Sequence, residues 1–246
     1  MIVILRTKNM LMHDIHLHHH EHHLQSSDLL KDIVIGMSDG LTVPFALAAG
    51  LSGAVDSTSL IVIAGLAEVA AGSIAMSLGG YLAGRTEMDH YNSELRREYD
   101  EVERLPEREK EEVREFFEDL GLSSQVQQQA VAELTKDKDR WVKFMMKHEL
   151  GLEKPDEKRA LKSAFNIGMS YVLGGLIPLL PYFFVTNTFE GLKISACITL
   201  VCLFLFGYFR SKMTGIPPIT GALKVMLIGA VAAAAAFAIA KVIEGG

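Results

Sequence analysis

The sequence predicts an all-α membrane protein with five transmembrane helices and a water-exposed three-helix bundle inserted between spans two and three. Apolar runs of about 20 residues with at most one charge each, enough for a helix to cross the roughly 30 Å of a bilayer, occur toward both ends of the 246-residue chain. Most of the charge lies instead between Arg85 and Lys162. We therefore divide the chain into a polar tail, two spans, an inserted bundle and three further spans, at residues 1–28, 29–85, 86–153 and 154–246.

Composition argues against two kinds of site. The formal net charge of −6 disfavours nucleic acid as a partner, because binding to phosphates depends on basic residues. Cys197 and Cys202 lie in one apolar run. We interpret them as small side chains buried in the membrane, not as a disulfide or a zinc site.

The polar tail, residues 1–28, is expected to be disordered. It carries most of the nine histidines of the chain, namely His13, His16, His18, His19, His20, His22 and His23. Clustered imidazoles can bind divalent metal weakly even without a folded site.

The first two spans differ in how they end. Asp28 can cap the helix that leads into the first span, residues 33–51. Pro44 inside this span has no amide donor, so we expect the helix to kink or open there. The second span, residues 60–82, is followed by a charged run without proline until Pro106. We expect this helix to continue several turns beyond the membrane.

The insertion is predicted to contain three helices. The extension of the second span is the first, and a helix over residues 106–120 is the second, with proline at its start and Gly121 after its end. Ser123 or Ser124 caps a third helix that runs to about Leu150.

The remaining spans are predicted at residues 164–185, 194–209 and 219–240. Basic residues flank one side of this five-span arrangement and are sparse on the other, which indicates the cytosolic side. These residues are Lys31, Arg85, Lys154, Lys158, Arg159, Lys162, Arg210 and Lys212. The N-terminus and the insertion are therefore predicted to be cytosolic, and the C-terminus to lie on the far side.

Two carboxylates stand within the first two spans. Asp39 and Glu68 would each cost about 2.5–3.5 kcal/mol at the bilayer centre, which by default indicates an ion or proton pathway. Met76 lies roughly eight residues, or about 12 Å, from the cytosolic end of its span, as Asp39 does in its own. Carboxylate and thioether ligands together suit Fe²⁺ better than Mg²⁺. The alternatives are an interhelical hydrogen bond for the carboxylates and apolar packing for Met76.

The insertion holds a second group of candidate ligands. Residues three or four apart share one face of a helix, and several acidic and sulfur-containing side chains have this spacing. They are Glu98, Glu101, Glu109, Glu112, Met145, Met146 and Glu149. Like charges at this spacing repel, which favours a cation between them. The interleaved basic residues Arg97, Arg104, Arg108 and Lys110 allow the alternative of a solvated, salt-bridged face.

The combination of these motifs resembles the vacuolar iron transporter family over residues 29–243. The resemblance rests on Ser38-Asp39-Gly40, Pro44, the span with Glu68, Ala71-Gly72-Ser73 and Met76, and the Glu- and Met-rich insertion. It implies a homodimer with an ion path near its two-fold axis, lined by Asp39, Glu68 and Met76. It also implies that the seven ligands named in the insertion form a cytosolic metal-binding site.

The resemblance further implies a proton-coupled transporter and not an enzyme. The expected substrate is Fe²⁺, with Mn²⁺ as a second substrate and Zn²⁺ or Co²⁺ also accepted by the cytosolic site. The expected location is the vacuolar membrane, with a lumenal C-terminus. The alternative is a membrane-anchored di-iron oxidase. That class places Glu-x-x-His pairs on facing helices, and neither His90 nor His148 has a glutamate three residues before it.

Overall fold

The computed structural model describes residues 28–244, and all regular structure in this range is helical. The histidine-rich segment of the predicted tail lies outside the described residues. The helices are α1 (Asp28–Ala54), α2 (Thr58–Arg104), α3 (Pro106–Asp119), α4 (Ser124–Leu134), α5 (Lys138–His148), α6 (Arg159–Leu179), α7 (Thr188–Met213) and α8 (Pro218–Glu244). A short 3₁₀ segment, Leu180–Phe183, extends α6.

The prediction of five spans is confirmed for the described residues. Five helices are long and apolar enough to cross a membrane, namely α1, α2, α6 with its 3₁₀ extension, α7 and α8. Their outward faces carry large exposed apolar side chains, such as Phe165, Leu227 and Ile243. Such faces suit a lipid environment.

Helices α1 and α6 pack in backbone contact. A β-carbon added at Gly36 would lie 2.2 Å from the carbonyl oxygen of Ile167, and one at Gly40 would lie 2.4 Å from that of Tyr171. Small residues allow transmembrane helices to approach this closely. This contact places the neighbouring Asp39 beside α6.

Helix α1 remains continuous through Pro44, so the alternative that the helix opens there is wrong, and a kink at this position stays a prediction. The proline ring lies against Gly175 of α6, where an added β-carbon would be 3.1 Å from its Cγ. Close packing of α6 against α1 on both sides of the proline supports a helix that lacks one backbone hydrogen bond.

Helix α2 continues from the membrane into the insertion, as predicted. Its 47 residues correspond to a length of about 70 Å at 1.5 Å per residue. Ser57 caps its start by accepting a hydrogen bond from the amide of Leu60 at 3.3 Å. Pro106 begins the next helix after a single intervening residue.

The prediction of one continuous third helix in the insertion is wrong, because α4 and α5 are separate. The hydroxyl of Thr135 donates to the carbonyl of Val131 at 2.9 Å, which satisfies the end of α4. Asp137 then accepts from the amide of Arg140 at 2.9 Å and caps α5. Threonine and aspartate side chains compete in this way with helical backbone bonds. The insertion therefore has three helices of its own in addition to the end of α2.

The insertion is organised around an apolar core drawn from α2, α3 and α5. Its buried members are Val102, Val113, Trp141, Val142, Met145 and Met146. This core fixes the ends of α2 and α3 against α5, which positions the acidic residues described next.

Candidate metal sites

Five glutamates from three elements of the insertion converge. Glu98 and Glu101 lie in the last turns of α2, Glu109 and Glu112 lie in α3, and Glu149 directly follows α5. They form two overlapping triads, Glu98–Glu101–Glu109 and Glu109–Glu112–Glu149. In each triad, one carboxylate oxygen per residue lies within 4.8 Å of the others. We call these five residues the carboxylate cluster.

The inner members of the carboxylate cluster are buried and incompletely bonded. The exposed fraction is 1% for Glu98 and 2% for Glu109. Within residues 28–244, the Oε2 atom of each has no hydrogen-bond partner. A buried carboxylate oxygen without a partner costs free energy, so it suits an ion or a proton.

Among residues 28–244, the salt bridges from arginine to the cluster involve its outer members. Arg97 Nε lies 3.5 Å from Glu101 Oε2, and Arg108 Nε lies 3.0 Å from Glu112 Oε1. The alternative of a salt-bridged, solvated face therefore describes the rim of the cluster and leaves its centre unexplained.

The protonation of the cluster reflects its crowding. Burial, together with the charges of Glu149, Glu109 and Glu101, raises the pKa of Glu98 to about 7. Burial and the charges of Glu112, Glu101 and Glu149 raise the pKa of Glu109 to about 7 as well. Burial, with Glu112 and Glu101, also raises the pKa of Glu149. Negative charges held this closely favour binding of a proton or a cation near neutral pH.

One of the membrane candidates, Glu68, contacts a residue that the sequence did not single out. Asp39, Glu68 and Met76 are all half-buried. The hydroxyl of Tyr171 donates to Glu68 Oε1 at 2.5 Å, while Glu68 Oε2 is buried and has no partner among the described residues. The interhelical hydrogen bond considered as an alternative for Glu68 is therefore present, and it occupies one of the two oxygens.

Comparison with known proteins identifies the fold family. The sequence model described as the VIT family matches residues 30–241.

The chain belongs to the VIT family.

Several relatives resemble this VIT-family chain over nearly its whole length. Vacuolar iron transporter 1 of Arabidopsis thaliana is 51% identical over 227 residues, which cover 92% of this chain and 91% of that protein. Vacuolar iron transporter 1 of Oryza sativa subsp. japonica is 48% identical over 229 residues, or 93% and 91%. Protein CCC1 of Saccharomyces cerevisiae is 38% identical over 229 residues, or 87% and 69%. The plant relatives are named as transporters, in agreement with the prediction of a non-enzyme.

The two candidate methionine ligands of this VIT-family chain lie in the core of the insertion. Met145 and Met146 are each 1% exposed and pack with Trp141 and Val142. Met145 is one turn before Glu149, whose amide donates to the Met145 carbonyl at 3.0 Å. Burial in an apolar core is accounted for by packing alone, so a role for these thioethers in metal binding stays a prediction.

Asp32, near the start of α1, is a buried carboxylate that is not among the site residues predicted from the sequence. It is 1% exposed and accepts from Arg159 at 2.7 and 3.0 Å. It also accepts from Ser163 at 2.9 Å and from Asn166 at 3.3 Å. The sequence shows Arg159 within a cluster of basic residues. No local pattern, however, indicates that Arg159 pairs with a residue at the start of α1. Asp32 joins α1 to α6 as a saturated ion pair.

Proposed function

We propose that this VIT-family chain transports ferrous iron, and also Mn²⁺, from the cytosol into the vacuole in exchange for protons. It would act as a homodimer in the vacuolar membrane. The names of the plant relatives support the substrate and the membrane. The proton coupling, the second metal and the dimer follow from the resemblance set out in the sequence analysis.

The observation that carries the proposal is the pair of orphaned oxygens in the carboxylate cluster. Glu98 and Glu109 hold buried, unpartnered carboxylate oxygens within a group of five acidic residues. Because the Arg97 and Arg108 side chains bind the rim, the centre is left to a divalent cation. In this role the cluster captures Fe²⁺ from the cytosol and also accepts Zn²⁺ or Co²⁺, with Met145 and Met146 as softer ligands.

Helix α2 connects the carboxylate cluster, where metal would be captured, to the path by which it would cross the membrane. It holds Glu68 and Met76 in its apolar half and Glu98 and Glu101 in its polar half. Asp39 on α1 and Glu68 on α2 would line the membrane path with Met76. Each carboxylate binds either a cation or a proton, which is the competition that exchange requires.

The direction of transport depends on orientation. The insertion and the N-terminus are assigned to the cytosol because Lys31, Arg85 and the basic residues around Arg159 flank that side. The carboxylate cluster would then face the source of the metal, and the C-terminus would face the acidic lumen.

The proposal is tested by uptake into proteoliposomes that contain the full chain, with and without an acidic interior. We expect Fe²⁺ uptake that depends on the pH gradient, and we expect Asp39→Ala to abolish it while the protein stays folded. Asp56→Ala is the matched control, because Asp56 is an exposed carboxylate in the link between α1 and α2.

Two results would contradict the proposal. Uptake by the unmodified protein that ignores the pH gradient would exclude proton exchange. Normal uptake by Asp39→Ala would remove Asp39 from the path.

A further inference from the structure

We propose that Tyr171 is a positioning residue for Glu68, and that its hydroxyl determines which carboxylate oxygen receives the transported cation. This inference rests on the proposed function, because it concerns the membrane path of the same transporter. Tyr171 lies on α6, whereas Glu68 lies on α2.

The contact between the two residues leaves one oxygen free. Tyr171 is 2% exposed, and its hydroxyl donates to Glu68 Oε1 at 2.5 Å. Glu68 Oε2 is buried and has no hydrogen-bond partner within residues 28–244. The carboxylate is therefore held by one oxygen and offers the other for coordination.

Glycines on both neighbouring helices make room for the tyrosine. A β-carbon at Gly72 of α2 would lie 2.4 Å from the Tyr171 hydroxyl oxygen and 2.6 Å from Cζ. A β-carbon at Gly40 of α1 would lie 2.4 Å from the Tyr171 carbonyl oxygen. Any other residue at Gly72 would displace the phenol, so this position keeps the hydroxyl on Glu68. Gly40 adjoins Asp39, which brings the tyrosine to the level of the other membrane carboxylate.

The hydrogen bond from Tyr171 restricts how the Glu68 carboxylate can turn. The ring of Tyr171 is buried and lies against Gly72 of α2, so its hydroxyl restricts the orientation of the Glu68 carboxylate. A ligand held in one orientation binds a cation more tightly than a freely rotating one, because less freedom is lost on binding.

The chain contains a matched tyrosine that lacks this connection. Tyr182, in the 3₁₀ segment after α6, is also 2% exposed. Its hydroxyl lies 2.8 Å from Ser52 Oγ, and Ser52 itself donates to the carbonyl of Ala48 at 2.7 Å. Tyr182 therefore donates to a neutral serine and contacts neither membrane carboxylate through its hydroxyl.

The test compares Tyr171→Phe with Tyr182→Phe in proteoliposomes, with Fe²⁺ as the probe and a fixed pH gradient. We expect Tyr171→Phe to raise the Fe²⁺ concentration for half-maximal uptake about tenfold, which corresponds to about 1.4 kcal/mol of binding free energy. The maximal rate per folded protein should stay within roughly twofold. Tyr182→Phe should leave the half-maximal concentration unchanged, because a purely structural hydroxyl affects the amount of folded protein and not its affinity.

A second pair of variants tests the same contact with the tyrosine retained. Gly72→Ala should displace the phenol and raise the half-maximal concentration as Tyr171→Phe does. Gly79→Ala on the same helix should have no effect, since an added β-carbon there meets nothing within 4 Å. This pair provides the measurement if the Tyr171→Phe protein does not fold.

Failure of this inference is distinct from failure of the proposed function. If the unmodified protein shows gradient-dependent uptake and Tyr171→Phe has the same half-maximal concentration as Tyr182→Phe, the positioning role is overturned and the transporter stands. If the unmodified protein shows no such uptake, the proposed function itself fails.

Discussion

Two equally buried carboxylates have opposite surroundings. One lies at the junction of α1 with α6, and the other lies in the carboxylate cluster of the insertion. Asp32 and Glu98 are each 1% exposed. Asp32 accepts four hydrogen bonds from Arg159, Ser163 and Asn166. One oxygen of Glu98 has no partner among the described residues, and the groups around it are other carboxylates.

This difference teaches that burial of a charge does not by itself identify a site. A buried carboxylate that is fully bonded holds two helices together and has no oxygen left for a ligand. A buried carboxylate among like charges lowers stability until a cation or a proton neutralises it. The hydrogen-bond partners of a carboxylate, and not its depth, therefore distinguish a structural ion pair from a candidate metal ligand here.

The largest expected effect comes from replacing each carboxylate by its amide. Asp32→Asn should destabilise the metal-free protein by about 3 kcal/mol, the lower end of the range for a broken buried pair. The lower end applies because the Arg159 side chain remains 20% exposed. Glu98→Gln should instead stabilise the metal-free protein by about 1 kcal/mol, since it removes a charge that has no partner.

These two changes are checked by unfolding the full chain in detergent without metal. Glu115→Gln, on an exposed position of α3, is the control and should change stability by less than about 0.5 kcal/mol. Equal destabilisation by Asp32→Asn and Glu98→Gln would show that the two regions do not differ.

The next largest expected effect is the change in the stability of the insertion with pH. The pKa of Glu98 and of Glu109 is about 7 in the folded protein against an ordinary value of 4.5. The folded state then holds protons that the unfolded chain releases between these values. Stability of the metal-free insertion should fall as the pH rises from about 4.5 to 7, by roughly 1 kcal/mol per group and pH unit.

The measurement is unfolding followed by the fluorescence of Trp141, the one tryptophan of the sequence, which is buried in the core of the insertion. The decline should be much smaller in the Glu98→Gln/Glu109→Gln variant, where only Glu149 of these three groups still has a raised pKa. It should reverse in the presence of saturating metal, because bound carboxylates must be deprotonated. A decline of the same size in the double variant would assign the pH dependence to other groups.

The smallest expected effect concerns the methionines under the cluster. Met145→Leu and Met146→Leu conserve volume and should cost less than about 1.5 kcal/mol. If a thioether is a ligand, the affinity for Fe²⁺ and Co²⁺ should fall a few-fold while that for Mn²⁺ is retained, since sulfur prefers softer ions. Metal titration of the full chain by Trp141 fluorescence checks this, and unchanged affinities would leave Met145 and Met146 as packing residues.

The sequence was sufficient for the five spans, the extension of α2 and the pairing of glutamates along one helix, all of which depend on neighbouring residues. The five spans follow from apolar runs of about 20 residues, and the extension of α2 follows from the absence of glycine and proline between Arg85 and Pro106. The spacing of three residues in Glu98–Glu101 and Glu109–Glu112 predicted that each pair shares a face, and the structure brings both pairs together.

Contacts between distant residues could not be predicted in this way. Arg159 is 127 positions from Asp32, and Tyr171 is 103 positions from Glu68. No local pattern joins such pairs, because they depend on how α6 packs against α1 and α2. The break between α4 and α5 was missed for a different reason. Asp137 stands among charged residues that all suit a helix surface, and only its capping bond reveals the boundary.

Helix α2 is one continuous connection between the membrane half of the molecule and the insertion. No glycine or proline that could act as a hinge lies between Arg85 and Leu105, and the helix is unbroken from Thr58 to Arg104. A tilt of the membrane half of α2, where Glu68 lies, would displace Glu98 and Glu101 at the far end unless the helix bends at the glycines between them, which are Gly72, Gly79, Gly80 and Gly84. Because one apolar core holds the ends of α2 and α3 against α5, the carboxylate cluster would be carried with α2 as a unit. The proposed capture site would therefore change its position relative to the bilayer whenever such a tilt is transmitted.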